Sequence, residues 1–123
     1  MYLKHIDHAG LNVKDLDRSS AFYLRVFDFE IIHKFTHTWM VGRGNMRLGL
    51  FHRPEAKPVD DLDNKIAITH IAFETNKRGF KKAQEELTAL GIPFDPPEDT
   101  GIAFSIFFTD PDGHLLEITT YHH

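Results

Sequence analysis

Two stretches decide the fold: KHIDHAGLNV at residues 4–13 and IAITHIAFET at residues 66–75. Both alternate apolar and polar residues as strands do, and both carry a histidine near the middle, His8 in one and His70 in the other. A helical pattern follows each. In residues 15–29, DLDRSSAFYLRVFDF, the side chains of Leu16, Ser20, Tyr23 and Phe27 fall on one face, and Asp15 is placed to accept free amides of the first turn. In residues 78–90, RGFKKAQEELTAL, the stripe is Phe80, Ala83, Leu87 and Leu90, and Gly91 follows where a left-handed residue closes a helix. The first helix has Asp28 at the comparable place.

Short apolar segments come after each helix. The first half has EIIHKF (30–35), TWMV (38–41) and MRLGLFH (46–52), with GRGN (42–45) as a hairpin turn between the last two. The second half has IPF (92–94), IAFSIFFT (102–109) and HLLEITTY (114–121), with DPDG (110–113) as the tight turn. Between the halves, RPEAKPVDDLDNK (53–65) has the prolines and acidic residues of an exposed linker. The pattern predicts an α+β chain of two βαβββ modules, about 1–52 and 66–121, within one domain spanning 1–123. The competing reading is an α+β protein whose halves resemble each other by chance.

Composition narrows the function. The chain has no cysteine, which excludes disulfides, thiolate chemistry and iron–sulfur clusters. Its formal net charge is −4 and no basic run occurs, so nucleic acid is not an expected partner. No apolar run approaches the ~20 residues of a membrane span, and MYLKHIDHAG lacks the apolar core of a signal peptide, so a cytoplasmic location without membrane contact is expected. Histidine is abundant, at nine residues; His122 and His123 close the sequence and are set aside as native residues or tag remnants.

Side chains alternate faces along a strand. That rule places His8 with Ile6, Gly10 and Asn12, and His70 with Ile68, Ala72 and Glu74. The opposite faces are apolar and suited to packing under the helices. In the last strand Glu117 shares a face with Leu115, Thr119 and Tyr121. A carboxylate within a β-forming apolar run needs a cation or hydrogen bonds. His8, His70 and Glu117 together would form a two-histidine, one-carboxylate set, suited to a divalent first-row metal with positions left open. Taken singly, each residue is better read as a surface histidine at a strand edge or a water-facing glutamate; taken together, the equivalent placement of the two histidines favours the metal site.

These residues also carry a resemblance. The run HIDHAGLNVKDLDRSSAFY, with THIAF at mid-chain and DPDGHLLEIT near the end, resembles the vicinal oxygen chelate superfamily of glyoxalase I, extradiol dioxygenases, fosfomycin resistance proteins and bleomycin resistance proteins. The resemblance implies a cup-shaped mixed sheet around a metal, with ligands at His8, His70 and Glu117 and substrates bound through two neighbouring oxygens. Departures from each branch are visible. Glyoxalase I has a fourth ligand, a glutamate, where alignment of the modules puts Gly49. Extradiol dioxygenases have a catalytic tyrosine at the position of Phe107 and a histidine where Glu98, Asp99 and Thr100 stand. Fosfomycin resistance proteins have an arginine shortly after the last ligand, where Thr119, Thr120 and Tyr121 stand. Bleomycin-binding proteins generally lack the ligand set that is present here.

Further candidates follow from module symmetry. Arg47 is expected on the concave side as a bidentate clamp for a carboxylate or phosphate, or else as a solvent-facing arginine. Tyr121 is a candidate general acid or hydrogen-bond donor, and Glu74 a candidate base, with packing and surface exposure as their alternatives. Trp39, Met40 and Phe51 are candidates to line the substrate pocket. His33 and His37 lie around the second strand, and His114 in the turn. The expected protein is a metal-dependent enzyme using iron, manganese, nickel or zinc as a Lewis acid on a small substrate, as a lyase, isomerase or dioxygenase. The alternatives are a fosfomycin-type epoxide-opening enzyme and a non-catalytic sequestering protein. A homodimer is expected, with each site taking its three ligands from one chain.

Overall fold

The computed structural model describes residues 1–122; His123 lies outside them. The chain forms two compact units, Met1–Pro58 and the remainder from Val59. The first contains β1 (Ala9–Val13), α1 (Leu16–Phe27), β2 (Glu30–Lys34), β3 (Thr38–Arg43) and β4 (Met46–His52). The second contains β5 (Ile71–Glu74), α2 (Lys77–Ala89), β6 (Glu98–Asp99), β7 (Ala103–Thr109) and β8 (Leu115–Tyr121). Each is a four-stranded mixed sheet with the same connectivity, β1-β4-β3-β2 and β5-β8-β7-β6. The α+β class and the two βαβββ modules are those the internal repeat predicts.

The two sheets also share their register. The parallel pair β1–β4 sets Gly10 opposite Gly49 and Leu11 opposite Leu50. The parallel pair β5–β8 sets Ala72 opposite Glu117 and Phe73 opposite Ile118. Gly49 in the first module is therefore the structural counterpart of Glu117 in the second. Along the next ladder Met40 pairs with Gly49, and Phe107 with Glu117.

Local chemistry explains the helix ends. The Asp15 carboxylate accepts the Arg18 N–H at 3.1 Å, and α1 ends at Asp28, which is left-handed at φ 56°. Aspartate tolerates that region better than most side chains, and Arg43 holds its carboxylate at 2.6 Å. Asn76 caps α2 by accepting the Gly79 N–H at 2.8 Å. At the other end Gly91, at φ 71°, donates to Thr88 O at 3.1 Å, and Ile92 donates to Leu87 O at 2.9 Å. These are the paired bonds of a Schellman closure, whose left-handed position favours a glycine such as Gly91.

Each helix covers one sheet face. Under α1 the buried side chains are Leu11, Val13, Tyr23, Phe29, Val41, Leu48 and Leu50, with the rings of Tyr23, Phe27 and Phe29 against one another. In the second unit they are Phe80, Leu87, Ile106, Phe108 and Leu116. Predicted stripe residues Tyr23, Phe80 and Leu87 are thus core, and Ser20 is buried by donating its hydroxyl to Asp17 O.

Two expectations are corrected. His8 and His70 are not in mid-strand: β1 starts at Ala9 and β5 at Ile71, and residues 1–8 and 66–70 run exposed ahead of them. The alternating pattern continues through both lead-ins, but the ladder with β4 or β8 does not. The segment IPF at 92–94 forms no strand; the edge strand is the short β6, Glu98–Asp99, pairing with Phe104 and Ser105 of β7. Pro93, Pro96 and Pro97 have no N–H to give a ladder, so pairing begins only after them. The stretch 53–65 is exposed along most of its length; within it Arg53 donates its N–H to Val13 O at 2.8 Å, and Leu62–Asn64 forms one 3₁₀ turn. His122, set aside in the sequence, is integrated, donating its N–H to Ile102 O and meeting Asp99 Oδ1 at 3.0 Å through Nε2. Among the described residues no helix is long and apolar enough to cross a membrane.

Candidate metal centre

The second module brings two of the three predicted ligands together. His70 Nε2 lies 3.0 Å from Glu117 Oε1. The His70 side chain is 36% exposed and that of Glu117 only 13%. Glu117 projects from β8 on the face opposite Leu116 and Ile118. His70 reaches it from the residue just before β5. Phe107, the β7 partner of Glu117, sets its ring edge-on to the imidazole with centroids 5.8 Å apart.

Both atoms are secured from behind. Ser105, on β7, is 1% exposed and donates its hydroxyl to Glu117 Oε2 at 2.7 Å, which leaves Oε1 directed at the histidine. Thr69 Oγ1 lies 2.8 Å from His70 Nδ1. A hydroxyl can donate or accept. It therefore serves the tautomer that can donate to Glu117, with the proton on Nε2, and equally the tautomer with the proton on Nδ1. The second leaves an imidazole lone pair beside a carboxylate oxygen. A neutral nitrogen and an anionic oxygen with their outer atoms already hydrogen-bonded are what a divalent cation requires of two ligands. The donor chemistry fits.

His8 lies in the first module. Its Nδ1–H donates to Asp7 Oδ2 at 2.8 Å, and Arg47 Nη1 is 3.6 Å from Asp7 Oδ1. The hydrogen bond from His8, with further help from Arg47, holds the Asp7 carboxyl below its ordinary value. A Cβ built at Gly49 would lie 3.6 Å from His8 Cδ2 and 3.2 Å from Phe51 Cε2. The first module thus gathers His8, Arg47 and Phe51 around a glycine where the second has Glu117. Among the described residues, no three histidine, cysteine, aspartate or glutamate side chains are gathered as a metal cluster.

The other candidates divide. Glu74 and Tyr121, both on the Glu117 face by alternation, line one open cleft of about 660 Å³ together with Asn76, Lys77 and Arg78. Phe51 lies on the His8 side, its ring against Gly10 and Gly49. Trp39 does not. It pairs with Leu50, which is fully buried, so it stands on the helix-covered side of the sheet, with Lys34 Nζ 4.1 Å from its ring centroid. Met40 and, across β2, His33 hold the Gly49 face instead. Sequence reasoning passed over Asp7, Thr69 and Ser105. Ser105 left a signal, as a hydroxyl set among apolar residues in the middle of IAFSIFFT, the run that pairs across the DPDG turn with β8.

Comparison with known proteins agrees with this architecture. A family profile described as Glyoxalase/Bleomycin resistance protein/Dioxygenase superfamily matches residues 5–118, and the chain belongs to that superfamily. It is 32% identical over 122 residues to a protein named metallothiol transferase FosB from Lysinibacillus sphaericus, covering 98% of this chain and 84% of that protein. It is 29% identical over 130 residues to one named glyoxylase I 4 from Arabidopsis thaliana, covering 96% and 71%. The crystal structure of the glyoxalase family protein from Enterococcus faecalis has the same fold, with a TM-score of 0.84 at 22% identity over 97% of this chain and 99% of that one.

Proposed function

We propose that this chain is a divalent-metal-dependent enzyme that acts on a small substrate through two neighbouring oxygens, with His8, His70 and Glu117 as the protein ligands. The observation that carries the reading is the His70–Glu117 contact, with each side chain hydrogen-bonded at its outer atom. When bound, the cation supplies Lewis acidity to the substrate oxygens. The chain's own residues do the rest. Ser105 holds the Glu117 carboxylate in one orientation, so Oε1 is available without rotation. Arg47 offers a guanidinium to an anionic group of the substrate, and Phe51 offers an apolar surface beside His8. Tyr121 and Glu74 are the proton-handling pair, a phenol and a carboxylate lining one cleft. A lyase, an isomerase or a dioxygenase fits these parts, in the cytoplasm. Thiol addition to an epoxide is the second reading, favoured by the similarity to a metallothiol transferase across nearly the whole chain.

The experiment is a metal-reconstituted activity screen on protein purified without chelator or nickel resin. Thiohemiacetals, catechols and fosfomycin with a thiol are the substrates, and iron, manganese, nickel and zinc the metals. Turnover that a chelator abolishes and one of these metals restores is the expected result. Chelator-insensitive binding of a small apolar molecule without turnover would instead define a sequestering protein.

The proposed assembly is a homodimer. β1 and β5 each lie at the edge of their own sheet, and the apolar side chains leading into them, Ile6 at 82% and Ile68 at 86%, are exposed. Apolar surface beside a sheet edge favours association. Sedimentation is expected to give a dimer. Mixing His8→Ala with Glu117→Ala subunits is expected to leave no intact site if one chain supplies all three ligands; recovered metal binding in the mixture would show that two chains share each site.

A further inference from the structure

We propose that Asp7 is the positioning residue of His8, fixing the imidazole as the Nδ1–H tautomer so that Nε2 presents its lone pair, with Arg47 steadying the carboxylate from its other oxygen. This rests on the reading of His8 as a ligand and adds how that ligand is prepared. An ionised carboxylate only accepts hydrogen bonds. The 2.8 Å contact between His8 Nδ1 and Asp7 Oδ2 therefore places the proton on Nδ1. The neutral ring is left with Nε2 as its only lone-pair nitrogen. Arg47 Nη1, 3.6 Å from Asp7 Oδ1, approaches the oxygen that His8 does not use.

The contact has little to do with stability. The Asp7 side chain is 66% exposed and that of His8 41%, and exposed pairs of this kind contribute little to folding. Its consequence is orientation. His8 precedes β1, so no ladder pairing with β4 fixes the backbone that carries it. The neighbouring carboxylate supplies the constraint that strand pairing does not. The second module solves the same problem differently: Thr69, the residue before His70, offers a hydroxyl that suits either tautomer. The first histidine is thus set in one tautomer before a ligand arrives, and the hydroxyl behind the second accommodates either tautomer.

The test compares Asp7→Ala, Asp7→Asn and His8→Ala in the metal-free, full-length protein. Long-range ¹H–¹⁵N spectra read the tautomer of His8, and calorimetric titration with Zn²⁺ and Mn²⁺ reads affinity. Asp7→Ala is expected to relax His8 toward the Nε2–H tautomer and to weaken metal binding by about 10–100-fold, the usual cost of losing a partner behind a ligand. Asp7→Asn retains an accepting oxygen and is expected to recover the Nδ1–H tautomer. Thermal melting of all three should match the parent. A His8 tautomer unchanged in Asp7→Ala overturns the proposal, as does unchanged affinity in that variant when His8→Ala has lost it. Should His8→Ala itself bind metal like the parent, the ligand reading is what fails, and the proposal falls with it.

Discussion

Glu117→Gln is expected to weaken divalent-metal binding by more than about 100-fold while leaving the protein folded. Changes behind a ligand already cost about 10–100-fold, so loss of the anionic ligand itself exceeds that range. The substitution is nearly isosteric. An amide oxygen at the Oε2 position still accepts the Ser105 hydroxyl, or one at Oε1 still accepts His70 Nε2–H, so the apo contacts survive in part. What disappears is the negative charge, and a neutral amide is a poor ligand for a first-row divalent cation beside imidazole. Calorimetric titration with Zn²⁺ and Mn²⁺ measures the loss, and thermal melting checks the fold. Affinity within a few-fold of the parent would remove Glu117 from the ligand set.

The second large effect concerns the first module. Leu50→Ala is expected to lower unfolding free energy by about 2–5 kcal/mol. Leu50 is fully buried, flanked on its own sheet by Leu11 on β1 and Trp39 on β3, with Leu48 and Val41 beside it. Small domains are stable by only about 5–15 kcal/mol, so the variant loses a large share of its margin. Met46, at the other end of the same strand, is 43% exposed; Met46→Ala should stay within about 0.5 kcal/mol. Urea unfolding of both measures the contrast. Equal midpoints would mean that this face of the sheet is not the module's core.

What the sequence disclosed, it disclosed where the cause was local. Asp15 and Gly91 act on amides and carbonyls within a turn of themselves, and both do as their positions in the chain indicate. The β7–β8 hairpin is anchored in DPDG, where the Asp110 carboxylate accepts the N–H groups of Asp112 and His114. The contact of Glu117 with His70 was readable because the two modules repeat. Faces were harder. TWMV alternates, but only the register across Gly44 and Asn45 says that Trp39 meets Leu50 and Met40 meets Gly49. Counting back from GRGN would have removed Trp39 from the pocket. The prolines at 93, 96 and 97 were visible and argued against a strand at 92–94. The Asp7–His8 contact was beyond alternation altogether. That rule puts successive residues on opposite faces, and it fails here because the strand begins one residue later.

The stacking of Phe51 over Gly10 and Gly49 has a consequence for how such a module can change. A Cβ at Gly10 would meet the ring at 3.1 Å and one at Gly49 at 3.2 Å, both tighter than ordinary contact. A carboxylate matching Glu117 would have to enter at position 49, into space the ring holds. At these distances the ring must give by a few tenths of an ångström to admit any side chain at 49, so the two positions are coupled. A pair in direct contact is where non-additive effects concentrate, so the cost of an acidic residue at 49 depends on which residue stands at 51.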